Sequence, residues 1–330
     1  MDKITKVEVL WTYKCCRECK GCAMNSGEVN TRTLDDWKKG ILNFKALGAK
    51  FLCVYGAEPL MDFDNLPEVI QFAESIGIDT TVITSFPFTE ICKEYLQILY
   101  KNGLRSLTTS FDPISYDHHS EAKTHQALDM LKYFQSLGPV RDTAAVVTVT
   151  SDNLQTLPGI SKLLTSEGIW MFCDLMHWDR GNKGTKCKGE KRNIHLDYSD
   201  LDEFKEVYHE LLDMKKDGAL IHIDPLTVKK IEDDNLHFSW NCSSNREFPS
   251  WITVDPHGEV FPCDDFKPKG NKKFDMTDIC KRWRSFEDFW KKQVKYYCKG
   301  CLWSTHIQSH SVKRGLMDIK DFIHDNRKNI

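Results

Sequence analysis

From residue 6 to residue 176, short apolar runs alternate with amphipathic stretches, and this alternation restricts the fold more than any other feature of the chain. KVEVLW (6–11), KFLCVYG (50–56), IDTTVITS (78–85), RSLTTSF (105–111), VRDTAAVVTVT (140–150) and IWMFCDLM (169–176) read as strands. Between the first two, TLDDWKKGILNFKALG has helical spacing, with Thr33 as N-cap and Gly48 as stop. Further helices are expected near 65–76, 89–102, 121–137 and 154–167. Six strands separated by five helices, each crossover long enough for a right-handed unit, predict an α/β fold. It is a parallel sheet or partial, TIM-like (β/α)6 barrel. Chemistry in such a fold sits where strands end and loops begin.

Composition limits what that chemistry can be. With 330 residues, 41% hydrophobic and 28% charged, the chain can bury a large core and reads as globular. It has neither a membrane-length apolar run nor a signal peptide, which predicts a cytoplasmic, membrane-free protein. Its 13 cysteines therefore point to metal binding or redox chemistry rather than a disulfide scaffold. Net charge is −3, with lysines that read as scattered, so a nucleic-acid partner is disfavoured.

Three cysteines, Cys15, Cys19 and Cys22 in YKCCRECKGC, follow the first strand at spacings of four and three, and Cys16 stands outside that spacing. YGAEPLM (55–61) follows the second strand, so the two loops should face each other. A structural zinc site usually takes four ligands, whereas three thiolates on a four-iron cubane leave one iron open. A zinc knuckle is the competing reading. CxxxCxxC after the first strand, with Gly-x-Glu-Pro after the second, resembles the radical S-adenosylmethionine (SAM) superfamily.

The resemblance implies a [4Fe-4S] cluster held by Cys15, Cys19 and Cys22, whose open iron binds SAM and cleaves it to a 5'-deoxyadenosyl radical. Gly56, Ala57, Glu58 and Pro59 would meet the methionyl amino group, Ala57 departing from the usual Gly-Gly-Glu-Pro. Gly21 replaces the aromatic residue that the family often packs toward adenine. Thr84, Ser85, Ser110 and Asp112 match segments that line the cofactor, against a bland reading of Ser110 and Asp112 as helix caps. Asn153, in TVTSDNLQTLPGI, resembles the fifth-strand turn and is expected to cap the next helix.

The C-terminal third carries a second set. Cys242, Cys263, Cys298 and Cys301 surround WITVDPHGEVFPC, a hairpin turning at Pro256-His257-Gly258. C-x15-G-x4-C followed by CxxC resembles the SPASM and twitch auxiliary-cluster domains, and with no cysteine after Cys301 the twitch form is implied. These four cysteines would hold a second [4Fe-4S] cluster acting as an electron relay, with a zinc ribbon as alternative. The domains expected are a barrel over 1–185, a helical bridge over 186–239 and a twitch-type domain of hairpin plus helices over 240–330.

Cys53 and Cys92 read as core fillers, and Cys173 as core packing ahead of a cofactor-facing thiol. Asp174, His177 and Arg180 could supply an acid, a base and an anion clamp, against a bland reading as a core histidine and a solvated turn pair. His118 and His119 are further candidates. Trp240, Trp251 and Trp303 read as packing near the auxiliary cysteines. The function expected is hydrogen abstraction from a small molecule such as a sugar, aminocyclitol or nucleotide-linked metabolite, in a two-electron oxidation. Flavodoxin or ferredoxin would donate electrons. Redox-neutral isomerisation, epimerisation or decarboxylation is the alternative, as is modification of a peptide or a nucleic-acid base. Peptide modifiers commonly carry an N-terminal leader-binding domain, and the first barrel strand stands too near residue 1 to leave room for one. A zinc-bearing interaction scaffold stays open as a non-enzymatic reading.

Overall fold

A computed structural model describes residues 4–17, 22, 24, 26–87, 89–111, 120–177, 194–240, 251–263, 266 and 268–302. The six expected strands form as β1 (Lys6–Leu10), β2 (Phe51–Tyr55), β3 (Asp79–Thr84), β4 (Ser106–Ser110), β5 (Asp142–Val149) and β6 (Trp170–Leu175). They are parallel and adjacent in chain order. Helices α1 (Leu34–Leu47), α2 (Leu66–Ser75), α3 (Thr89–Lys101), α4 (Ser120–Ser136) and α5 (Leu157–Ser166) make the crossovers.

Helix α1 illustrates how local sequence fixes these units. Thr33 Oγ1 accepts from Asp36 N–H at 3.2 Å while the Asp36 carboxylate accepts from Thr33 N–H, a closed capping box. Trp37, Ile41, Phe44 and Leu47 recur at three or four residues and turn one face to the core. Gly48 ends the helix in the left-handed conformation at φ 106°, which a side chain would disfavour.

Side-chain alternation divides the sheet into two faces. Val7, Val9, Leu52, Val54, Val82, Leu107 and Val147 pack in the main core with the helices. The opposite face carries a smaller cluster of Leu10, Met24, Cys53 and Tyr55, and below it a cavity of about 140 Å³ lined by Lys6, Thr81, Thr108, Asp142, Phe172 and His222. This second face is the lumen, and it mixes polar with apolar side chains.

Three strands extend the sheet beyond the expected six. After α6 (Leu201–Lys216), β7 (Ile221–His222) pairs parallel with β6, and α7 (Pro225–Asp233) follows. The stretch expected as a helical bridge thus also adds a strand to the barrel. The expected hairpin forms from β8 (Trp251–Val254) and β9 (Val260–Phe261), and β8 also pairs parallel with β1. The sheet order is β7-β6-β5-β4-β3-β2-β1-β8-β9. Helix α8 (Ile279–Tyr297) packs beside α1, burying Ile279, Trp283, Phe286 and Trp290. No helix among the described residues is long and apolar enough to cross a membrane.

Candidate functional site

The loop after β1 is closed at its neck. Tyr13 N–H donates to Glu28 O at 2.8 Å and Gly27 N–H returns to Tyr13 O at 3.0 Å, so the chain between them leaves and re-enters at one point. Cys15 and Cys22 lie on this loop, and Cys15 Sγ accepts from Arg17 N–H at 3.3 Å. Cys19, the middle cysteine, lies outside the described residues.

The β2 loop meets it as expected. Ala57 N–H donates to Thr12 O at 2.9 Å, and a Cβ on Gly56 would stand 2.6 Å from that same carbonyl oxygen. Only glycine permits this approach of two backbones. Pro59 opens the short 3-10 turn Pro59–Met61, with Glu58 as its N-cap.

Glu58 is fully buried, and four protein donors surround its carboxylate. Oε1 accepts from Leu60 N–H at 3.1 Å and Thr84 Oγ1 at 2.7 Å; Oε2 accepts from Ser85 N–H and Ser85 Oγ, both at 2.7 Å. Two donors per oxygen use the lone pairs of both. Glu58 therefore positions the turn, and what the turn can offer a ligand is backbone rather than carboxylate. Thr84 likewise serves Glu58, from the side of β3 that also bears core Val82.

Arg17, which sequence reasoning passed over, joins the third loop to the first. Its Nε donates to Ser85 Oγ at 3.2 Å and its Nη2 to the carbonyls of Ser85 at 2.9 Å and Phe86 at 3.3 Å. The chain Arg17–Ser85–Glu58 thus ties the loops after β1, β2 and β3 into one unit. An arginine inside a cysteine loop, two residues from a candidate ligand, was the available signal.

Further round the lumen, Ser110 and Asp174 continue the inward-facing rows of β4 and β6, in register through Val146 and Thr148 of β5. His177 stands edge-on to Phe238 at 5.5 Å, and its carbonyl lies 3.2 Å from Nε2 of buried His195. Asp174 and His177 therefore leave the same end of β6. Asp112, His118, His119 and Arg180 lie outside the described residues. Asn153 corrects an expectation: it makes no side-chain cap bond, and its amide instead staples the end of β5, donating to Thr148 O at 2.7 Å and accepting from Thr150 N–H at 2.9 Å.

Cys92 and Cys173 are buried in the outer core, and burial pushes the Cys173 thiol far up. Cys53 is also buried among apolar side chains, Leu10, Met24 and Tyr55, on the lumen face. No disulfide joins any two of the ten described cysteines.

The C-terminal hairpin reaches the cysteine loop through its turn. Arg32 Nε donates to His257 O at 2.6 Å, its Nη2 pairs with Asp275, and His257 Nε2 lies 3.0 Å from Glu28 Oε2. From there β9 runs back antiparallel to β8, carrying Cys263 away from the Cys15–Cys22 loop. At Cys298-Lys-Gly-Cys301, Gly300 N–H donates to Cys298 Sγ at 3.4 Å and Cys301 N–H to Trp240 O at 2.9 Å. Trp240 stands two residues before Cys242, which with Trp303 lies outside the described residues. Trp251 packs elsewhere, level with Lys6, whose Nζ sits 5.1 Å from the ring centre.

Residues 9–161 match the family model described as the Radical SAM superfamily. Over that stretch the chain is similar to a radical SAM domain. Three solved structures share the fold. Streptococcus suis SuiB bound to S-adenosylmethionine has a TM-score of 0.64 at 17% identity, over 87% of this chain and 66% of that one. SuiB bound to precursor peptide SuiA scores 0.65 at 14% identity, over 90% and 68%. Native anSMEcpe with bound AdoMet scores 0.61 at 14% identity, over 89% and 83%. This chain thus spans just under two thirds of the SuiB chain bound to S-adenosylmethionine. A search of curated proteins finds no match.

The described residues of this stretch fit a cysteine-bound cluster. Cys15 and Cys22 are partly or fully exposed on a loop with a tied neck, and the N–H directed at Cys15 Sγ is the kind of donor that stabilises a thiolate. Among the described residues no three Cys, His, Asp or Glu side chains converge on one metal ion. In a cubane each thiolate binds a different iron, so such convergence is not required.

Proposed function

We propose that this chain is a radical SAM enzyme in which Cys15, Cys19 and Cys22 hold the SAM-binding [4Fe-4S] cluster. The observation that carries this reading is the Arg17–Ser85–Glu58 chain, which knits the cysteine loop, the GAEP turn and the β3 end into one preformed rim. When bound, the cluster and SAM together supply a 5'-deoxyadenosyl radical that abstracts hydrogen. The protein's residues do the rest. Gly56 and Ala57 present backbone to the cofactor, Ser85 and Ser110 line the rim, and Asp174 or His177 takes up a proton if the substrate is oxidised by two electrons. The polar side chains among those facing the lumen, Glu8, Thr81, Thr108 and Asp174, could hydrogen-bond a hydroxyl-bearing substrate. Cys242, Cys263, Cys298 and Cys301 would hold an auxiliary [4Fe-4S] cluster; the parallel N–H···S contacts at Cys15 and Cys298 support treating the two sets alike.

A peptide is the second reading of the substrate. It is favoured by the fold shared with SuiB bound to precursor peptide SuiA and with anSMEcpe bound to AdoMet and Cp18Cys peptide. Anaerobic reconstitution, iron and sulfide counting, and incubation with dithionite and SAM test the proposal. About eight irons per chain, from two cubanes, with 5'-deoxyadenosine formed, is the expected result. Zinc without deoxyadenosine overturns it. Deuterium transfer into deoxyadenosine from labelled sugars or from cysteine-bearing peptides then separates the substrate classes.

A further inference from the structure

Charge is distributed very unevenly along this chain. Residues 267–299 contain eleven lysines and arginines against four acids, a net charge of +7, whereas the whole chain is −3. Everything outside that segment therefore sums to −10. The lysines expected to be scattered are concentrated in one stretch of the sequence.

Helix α8 supplies most of the face. Lys281, Arg284, Asp288, Lys292 and Lys295 follow one another at three or four residues, all exposed and opposite the buried Trp283, Phe286 and Trp290; Lys299 continues the row past the helix end. Of the preceding loop, Lys272 joins this row at Ser285, whereas Lys269 lies round the helix at Gln293 and Tyr297. Lys269 N–H donates to Gln293 Oε1 at 2.8 Å and its Nζ sits 4.3 Å from the ring centre of Tyr297, while Lys272 Nζ donates to Ser285 Oγ at 3.0 Å. The other acids of the segment are engaged: Asp275 with Arg32, Asp278 with Arg282 and Glu287 with Lys291. Asp288 is thus the one fully exposed acid on a face of many cations.

We infer that this face docks an acidic one-electron carrier protein, of the flavin or iron–sulfur class. The inference rests on the proposed function, because it gives Cys298 and Cys301 a cluster to exchange electrons with. Three observations favour such a carrier over a nucleic acid. The row of cations on α8 runs to Cys298, and Lys299 stands between Cys298 and Cys301, so the charge adjoins these two candidate thiolates, whereas Asp264 and Asp265 follow Cys263. Nine lysines to two arginines supply long-range steering rather than the forked contacts suited to phosphates. The aromatic residues beneath α8 are turned inward, where they cannot stack on bases, and exposed aromatics on the helix are confined to Tyr296 and Tyr297 at its end. Electron-transfer partners meet through small, weak interfaces whose encounter is driven by charge, and such a face suits them. The exchange balances simply: the carrier loses one electron, the bound iron–sulfur group gains it, and no atoms are transferred.

The test uses the full reconstituted chain, a reduced acidic flavodoxin and a single-stranded oligonucleotide as probes. Binding is measured at about 50 and 200 mM salt, the range over which charge-driven association weakens. The fourfold variant K281E/R284E/K292E/K295E and the milder pair K292Q/K295Q are compared with the parent chain after a melting check. The expected result is a flavodoxin Kd weakened about tenfold or more by charge reversal, to a lesser degree by the pair, and by salt. Dithionite-driven deoxyadenosine formation should stay unchanged in both variants, since a small reductant needs no docking. Equal flavodoxin binding by all three proteins, or an oligonucleotide that binds more tightly and displaces flavodoxin, overturns the inference. Failure of dithionite to give deoxyadenosine with the parent chain would instead count against the proposed function.

Discussion

Arg17 has no substitute of equal geometry. Three donors from one planar fork reach Ser85 Oγ and two carbonyls, and a lysine cannot span them. Arg17→Lys is expected to lower deoxyadenosine formation about 10- to 100-fold, as loss of outer contacts does at metal sites, with little change in melting temperature. Iron content and product yield, measured together, check it. Gly56→Ala should instead destabilise the fold, by about 1–3 kcal/mol in urea unfolding, because its Cβ would meet backbone at 2.6 Å and its φ of 154° favours glycine. Asp142, on the cavity wall, gives a pH signature. Burial raises its pKa from 3.8 to about 6 against the opposing pull of Ser106 and Arg141. The folded state therefore holds more protons than the unfolded one between these values, and stability should fall as pH rises through that window and level off above it. Asp142→Asn should abolish this slope, gaining up to about 3 kcal/mol relative to the parent at pH 7 and nothing at pH 3.5. Urea midpoints across pH provide the measurement.

Among the elements, α8 concentrates the energetics of the C-terminal region. Its Trp290 meets Phe261, Phe266, Phe286 and Phe289, with ring centres 5.5–6.4 Å apart. Trp290→Ala should cost about 3–5 kcal/mol, whereas Tyr296→Ala, at an exposed position on the same helix, should lie within about 0.5 kcal/mol. Chemical denaturation of both variants distinguishes packing from helix propensity. The same scale shows what could be read in one dimension. Each of the six barrel strands and five crossover helices was legible because its periodicity, caps and stops are local: Thr33 and Gly48 bound α1 whatever surrounds it. That β8 would pair with β1 was not legible, since WITV carries no mark of its partner. Nor was the two-residue β7, too short to show a period.

For the whole molecule, the hairpin turn and the cysteine loop are joined through Arg32, Asp275, His257 and Glu28. Arg32→Met removes both the pair and the bond to His257 O, and should uncouple the two regions, seen as faster amide exchange at residues 28–32 and 256–259 with the barrel strands unaffected. By itself the sequence determined the six-strand, five-helix order of the barrel and the places of both cysteine sets, because strand–helix period and cysteine spacing are written over short spans. Tertiary structure alone decided two other things: that the Glu58 carboxylate is taken up by Thr84 and Ser85, and that Arg17 clamps the rim. Each depends on groups distant in the chain reaching hydrogen-bonding or Coulombic range, and only the folded backbone sets those distances.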